Sequence, residues 1–220
     1  MFNRIAITIL CVASLSGCAS FIAGGTGSAP VGTESGSRTL GQVFIDNSIA
    51  RTAKINMYKL DSRFKQSRIN MESFHSNVLL TGQVPDAYLK KLAEDNVRAM
   101  SDVKTVHNYI TVGDKIGYST IMQDTAVTAN TKGLIARAPV ISGSKVLLHT
   151  EDGVLYVMGR LNSAEITDLN QVLQKVGNVT KIVMLVDNLD TTGTQDFAQP
   201  EVDVTPTAIE VDQIEPTNVQ

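Results

Sequence analysis

With 220 residues, 19 Lys/Arg and 22 Asp/Glu, the chain is long enough for one large domain or two small ones and too evenly charged for bulk nucleic-acid binding. Its two cysteines, Cys11 and Cys18, sit in or beside the first apolar run, which excludes a disulfide in the chain that follows. The acidity is local: residues 18–190 hold 18 Lys/Arg and 16 Asp/Glu, whereas 191–220 hold six acids (Asp196, Glu201, Asp203, Glu210, Asp212, Glu215) and no base.

The N-terminal segment has the order of an export signal. Arg4 supplies the positive start, residues 5–12 an apolar stretch, and Leu15-Ser16-Gly17 a small-residue approach to a cleavage site. The stretch is too short to cross a bilayer as a helix. Leu15-Ser16-Gly17-Cys18 resembles the lipobox of bacterial lipoproteins, which implies cleavage before Cys18 and lipid attachment to its sulfur and amine. Residues 1–17 are then a signal peptide. Residues 18–41, rich in Gly, Ser, Thr and Ala, read as the lipid anchor and a flexible tether.

Beyond the tether the sequence repeats itself in two copies of about 70 residues, too few units for a solenoid and suited to tandem domains. Asp46 aligns with Asp124, Ile49 with Val127 and Lys54 with Lys132. A gapless stretch then places Arg68 on Lys145, Val78 on Leu155, Leu80 on Val157 and Gly82 on Gly159.

Each copy opens with a helix, for which Asp46 and Asp124 are N-cap candidates; these helices end before Asp61-Ser62 and Ala138-Pro139. Two short strands follow, turning at Phe74-His75-Ser76-Asn77 and at Glu151-Asp152-Gly153, with Val78, Leu80, Gly82 and Val84 alternating to one side. Apolar residues at helical spacing predict second helices over 86–100 and 163–176. Final strands are predicted over 103–112 and 179–186. The expectation is α+β: two tandem α-β-β-α-β domains, residues 42–112 and 121–190, each a three-stranded mixed sheet with two helices on one face. Residues 191–220, rich in Thr, Pro and acids, read as a disordered tail.

This order, with the apolar-x-Gly ending of the second strand (Leu79-Leu80-Thr81-Gly82, Tyr156-Val157-Met158-Gly159), resembles the BON domain. A lipobox, a tether and two such copies resemble the dual-BON-domain outer-membrane lipoproteins of Gram-negative bacteria. The resemblance implies no catalysis and no cofactor. It implies an outer-membrane, periplasm-facing, lipid-anchored protein that supports envelope integrity by binding anionic, phosphatidylglycerol-type phospholipid. In that family the first helix of the second domain meets the lipid; here it corresponds to residues 124–137, with Lys132, Ile135 and Arg137 as the candidates. Relatives can carry an aromatic in the first turn, where this chain has Ala126. Val127, Thr131 and Leu134 are expected to face the core. A different class of function uses the same helix as an adaptor surface for outer-membrane assembly machinery.

No residue pattern argues for an enzyme. His75, His107 and His149 fall in one turn and on two strands, without metal-ligand spacing, and the two copies do not preserve them. Gly82 and Gly159 are expected to be structural, allowing a close approach or a bend. The region Arg51 to Arg68 is strongly basic; a solvated helix face and a headgroup-binding patch both fit it.

Overall fold

A computed structural model describes residues 35–138 and 141–191. Cys18, the signal peptide, residues 19–34 of the tether and all but the first residue of the acidic tail lie outside them, while residues 40–41, expected in the tether, already belong to the first helix. In chain order the elements are α1 (Leu40–Leu60), a 3-10 turn (Ser62–Lys65), β1 (Arg68–Phe74), β2 (Asn77–Val84), α2 (Ala87–Arg98), β3 (Thr105–Asn108) and β4 (Thr111–Val112). Then come α3 (Tyr118–Arg137), a second 3-10 turn (Gly143–Lys145), β5 (Val146–Glu151), β6 (Val154–Leu161), α4 (Ser163–Leu173) and β7 (Lys181–Asn188). The protein is α+β with two mixed sheets, and the helix-strand-strand-helix-strand order occurs twice among the described residues.

Both sheets follow one plan. An antiparallel hairpin, β1–β2 or β5–β6, takes a parallel strand on its second member, β3 or β7. The first sheet gains β4, which continues β3 along β2 after a two-residue break. The Asn108 carboxamide oxygen accepts from the Ile110 N–H there, while Ile110 turns fully into the core.

Alternation along each hairpin sends one face to its helices. Val78, Leu80 and Val84 join Ile49, Ala53 and Met57 of α1 and Leu89, Ala93 and Val97 of α2. Leu148, Leu155, Val157 and Leu161 join Ile135, Leu169 and Leu173 of α3 and α4. The opposite faces meet each other: Phe74 and Leu79 from the first sheet pack with Tyr156, Met158 and Val183 from the second. The molecule is therefore two sheets face to face with a helix pair on each outer side.

The first helices begin about two turns earlier than the N-cap expectation. Thr39 caps α1 through its side chain, accepting from Gln42 N–H at 3.1 Å, and α3 starts after Gly117. Asp46 and Asp124 are instead buried in mid-helix and aimed at the hairpin turns. Asp46 accepts from the N–H groups of His75 (3.1 Å) and Ser76 (2.9 Å); Asp124 accepts from those of Asp152 (2.8 Å) and Gly153 (2.9 Å). These turns need positive φ at both central residues, and the carboxylates secure them. Asp86 and Asn162 cap α2 and α4 through their side chains.

At Gly82 φ is +110° and an added Cβ would lie 2.1 Å from the Arg68 carbonyl oxygen, so only glycine fits. At Gly159 the nearest atoms, 3.2–3.3 Å away, belong to Lys145 and Val146. In both cases the close neighbour is the hairpin's other strand or the residue leading into it, not a helix.

Candidate functional site

Helix α3 is anchored by a single row of buried residues, Asp124, Val127, Thr131 and Ile135, at spacings of three and four. The Thr131 hydroxyl donates to the Val127 carbonyl at 2.8 Å, which removes its unpaired donor from the core. Ile135 thus differs from expectation: it is 2 % exposed and packs with Leu148 and Leu169, so it cannot insert into anything outside the molecule. It continues the 127–131 row by one more step of four, which the narrower stripe drawn from the sequence missed.

The outward side of α3 lies opposite that row. Tyr118 (76 % exposed) and Met122 (52 %) occupy its first two turns, followed by the exposed small residues Ala126, Ala129 and Ala136. Because the helix starts at Tyr118, Ala126 sits in its third turn, and the aromatic at the helix start is Tyr118. Lys132 and Arg137 are exposed on either flank and form no salt bridge among the described residues. Arg137 in the last turn also suits the negative end of the helix dipole. Tyr118 and Met122 lie just before the aligned segment that opens at Asp124; only an N-cap placed seven residues earlier would have brought them onto the helix.

Between α3 and β1 runs a groove made of two adjoining clefts of 420 and 350 Å³, both walled by Glu72 and Lys132. Burial pushes the Glu72 carboxyl above its ordinary range, with Lys132 and Arg38 opposing that rise. At the groove's far end the two halves are bonded together. Arg68 donates to both oxygens of buried Glu151 (3.0 and 3.1 Å), and Asn70 (2.8 Å) and Gln83 (3.0 Å) donate to the same carboxylate. The His149 ring lies 2.9 Å from the Thr81 hydroxyl, and burial lowers its basicity despite nearby Glu151. His75 and His107 are also held below their ordinary value, burial being the main cause.

These polar groups serve the fold and its internal seam. Among the described residues no three His, Cys, Asp or Glu side chains converge as metal ligands, and no helix is long and apolar enough to cross a membrane.

Residues 48–114 match the family model of the BON domain, so the first unit is a BON domain. Across 86 % of its length the chain is 27 % identical to an outer membrane lipoprotein, DolP of Haemophilus influenzae, covering 97 % of that protein. It is 25 % identical over 150 residues to a 21 kDa hemolysin of Actinobacillus pleuropneumoniae, covering 68 % of this chain and 77 % of that one. Among solved structures it is similar to the C-terminal domain of CdsD, a structural protein of the type III secretion system of Chlamydia trachomatis. That match has a TM-score of 0.26 and 15 % identity over 66 % of this chain and 65 % of the other. The chain thus carries a BON domain at residues 48–114 and is similar over most of its length to an outer membrane lipoprotein.

Proposed function

We propose that this protein is a non-enzymatic lipoprotein, faces the periplasm from a Cys18 anchor, and supports envelope integrity by binding anionic phospholipid through the outer face of α3. We also propose that residues 121–190 form a second BON domain. The repeat of the element order, and of the buried aspartate that holds the hairpin turn, supports that reading.

The observation that carries the lipid reading is the composition of the α3 face. Tyr118 and Met122 stand exposed at one end, and Lys132 and Arg137 flank the helix without a salt-bridge partner among the described residues. An aromatic with an apolar body and a polar tip suits the headgroup level. Each base near an anionic surface contributes on the order of 1 kcal/mol, which makes the affinity modest and salt-sensitive. Co-sedimentation with phosphatidylglycerol vesicles is the test. Lys132→Glu combined with Arg137→Glu is expected to weaken binding about tenfold or more while the fold survives, and Tyr118→Ser to weaken it further. Wild-type protein that ignores lipid charge would instead favour an adaptor docking on outer-membrane assembly machinery.

A further inference from the structure

Helix α1 carries a stronger membrane-like face than α3, and none of the described residues covers it. At about 100° per residue, Leu40, Phe44, Arg51, Ile55 and Tyr58 fall within about 60° of one another, on the side away from the buried row Asp46, Ile49, Ala53 and Met57. All five are exposed, Phe44 by 75 % and Ile55 by 54 %. Lys54 and Lys59 border this stripe on its two sides. The one acid within α1, Asp46, is buried and bonded to the hairpin turn, so the outer face carries three bases and no acid. Arg51, Lys54 and Lys59 form no ion pair among the described residues.

We propose that this α1 face is a second anionic-lipid surface, lying flat on the headgroups with Phe44 and Ile55 inserted. It rests on the Cys18 anchor proposed above but not on the α3 reading. Two observations favour a bilayer as the occupant. The first is charge: an apolar centre with basic flanks and no exposed acid complements anionic headgroups. The second is where the anchor's tether ends. Residues 19–39 join Cys18 directly to the start of α1, and 21 residues reach at most about 75 Å. The helix is thereby confined near the leaflet that holds the lipid. Because α1 and α3 sit on opposite outer sides of the paired sheets, a flat bilayer takes one of these faces at a time.

The chain contains no tryptophan, so single substitutions report each face separately. The lipidated full chain would be reconstituted in phosphatidylglycerol or phosphatidylcholine vesicles with brominated acyl chains, carrying Phe44→Trp or, in a separate sample, Met122→Trp. Phe44→Trp is expected to shift to the blue and be quenched in the anionic vesicles only. Adding Arg51→Glu with Lys54→Glu should restore the emission seen in neutral vesicles. A Phe44→Trp emission that stays at its aqueous position in both vesicle types overturns the proposal, whatever Met122→Trp shows. A Met122→Trp signal that stays aqueous while Phe44→Trp is quenched upholds this proposal and removes the α3 site instead. Emission already shifted without vesicles, and reversed by truncation after Asp190, also overturns it and makes the acidic tail the occupant. A shift without vesicles that grows with protein concentration overturns it in favour of a second copy.

Discussion

Arg68 and Lys145 hold equivalent places in the two units, each at the entrance to the first strand of its hairpin, yet their charges are used differently. Lys145 stays within its own unit, donating at 2.6 Å to buried Glu165, whose other oxygen accepts the Asn162 N–H in the cap of α4. Arg68 reaches out of its unit to Glu151 in the other. The same contrast runs across the molecule. Faces turned to the helices repeat closely, Val78 for Leu155 and Leu80 for Val157, because each must fill the same sheet-helix gap. Faces turned to each other do not repeat, because they must be complementary to a partner rather than to a copy. Phe74 is matched by Glu151, Leu79 by Tyr156 and Thr81 by Met158. Divergence between repeats thus marks the seam.

The largest effect is expected from cutting that seam. Arg68→Ala leaves Glu151 buried with only the neutral donors of Asn70 and Gln83, and stranding a buried charge in this way costs about 3 kcal/mol or more. In urea the Arg68→Ala chain should unfold in two steps, because the units lose their strongest tie. Lys145→Ala should lower stability while keeping a single transition. One unchanged transition in Arg68→Ala would abolish the contrast between them.

A smaller difference separates the two hairpin turns. The first places two non-glycine residues at positive φ, His75 and Ser76; the second has only Asp152, followed by Gly153. The first carries more support in return. Burial alone would raise the Asp46 carboxyl, but bonds from Ser76 N–H, Gln42, Ser73 and His75 N–H outweigh it and hold the group below its ordinary range. Both Asp46→Ala and Asp124→Ala should destabilise, by roughly 2 kcal/mol from lost bonds to a charged acceptor, with Asp46→Ala the larger. Ser76→Gly should recover part of the Asp46→Ala loss by relieving the left-handed backbone. Equal melting temperatures for the two alanine variants would show that the extra strain of the first turn is negligible.

Much of this architecture is legible in the sequence. Periodicity places the second helix of each copy, the hairpins follow from their alternation and turns, and the repeat alignment pairs Ile49 with Val127, Val78 with Leu155 and Leu80 with Val157, all buried. What escaped has a common physical cause: sequence periodicity reports how residues alternate, but not where a weakly patterned segment starts or what a second face meets. Residues 40–45 and 118–123 have no core row of their own, so the helices were begun at the aspartates. Those aspartates resemble caps because a short carboxylate beside backbone N–H groups is what a cap requires; here the N–H groups come from a turn nearly thirty residues away. Ile135 was placed outward because the core row was drawn one residue aside, through Leu134, which is only half buried. The inter-sheet face, with polar Asn70, Glu72, Thr81 and Gln83 among its residues, reads as solvated until the second sheet closes on it.

The smallest effect sharpens the comparison at one further pair of equivalent positions, Glu72 and His149. Both lie at the seam, and burial drives both toward the neutral form, raising the carboxyl and lowering the imidazole. For Glu72 a raised folded value means that the folded protein binds the proton more tightly than the unfolded chain. The wild type is therefore penalised as pH rises above the ordinary carboxyl range, and free of that penalty below it. For His149 a lowered folded value means that the unfolded chain binds the proton more tightly. Stability is then lost as pH falls below the ordinary imidazole value near 6.5. Glu72→Gln keeps the shape and removes the charge, so it should raise the melting temperature slightly at pH 7, by no more than about 1 kcal/mol of stability for a groove-wall position. That gain should vanish near pH 4, where the wild-type carboxyl is protonated in both states. His149→Gln should leave stability at pH 8 nearly unchanged and reduce the decline between pH 6.5 and 5, with His75 and His107 supplying what remains. Thermal melts of the three proteins from pH 4 to 8 measure both effects. A Glu72→Gln chain less stable than wild type at pH 7 would mean that attraction from Lys132 and Arg38 outweighs burial, making Glu72 a third electrostatic tie across the seam rather than a cost of closing it.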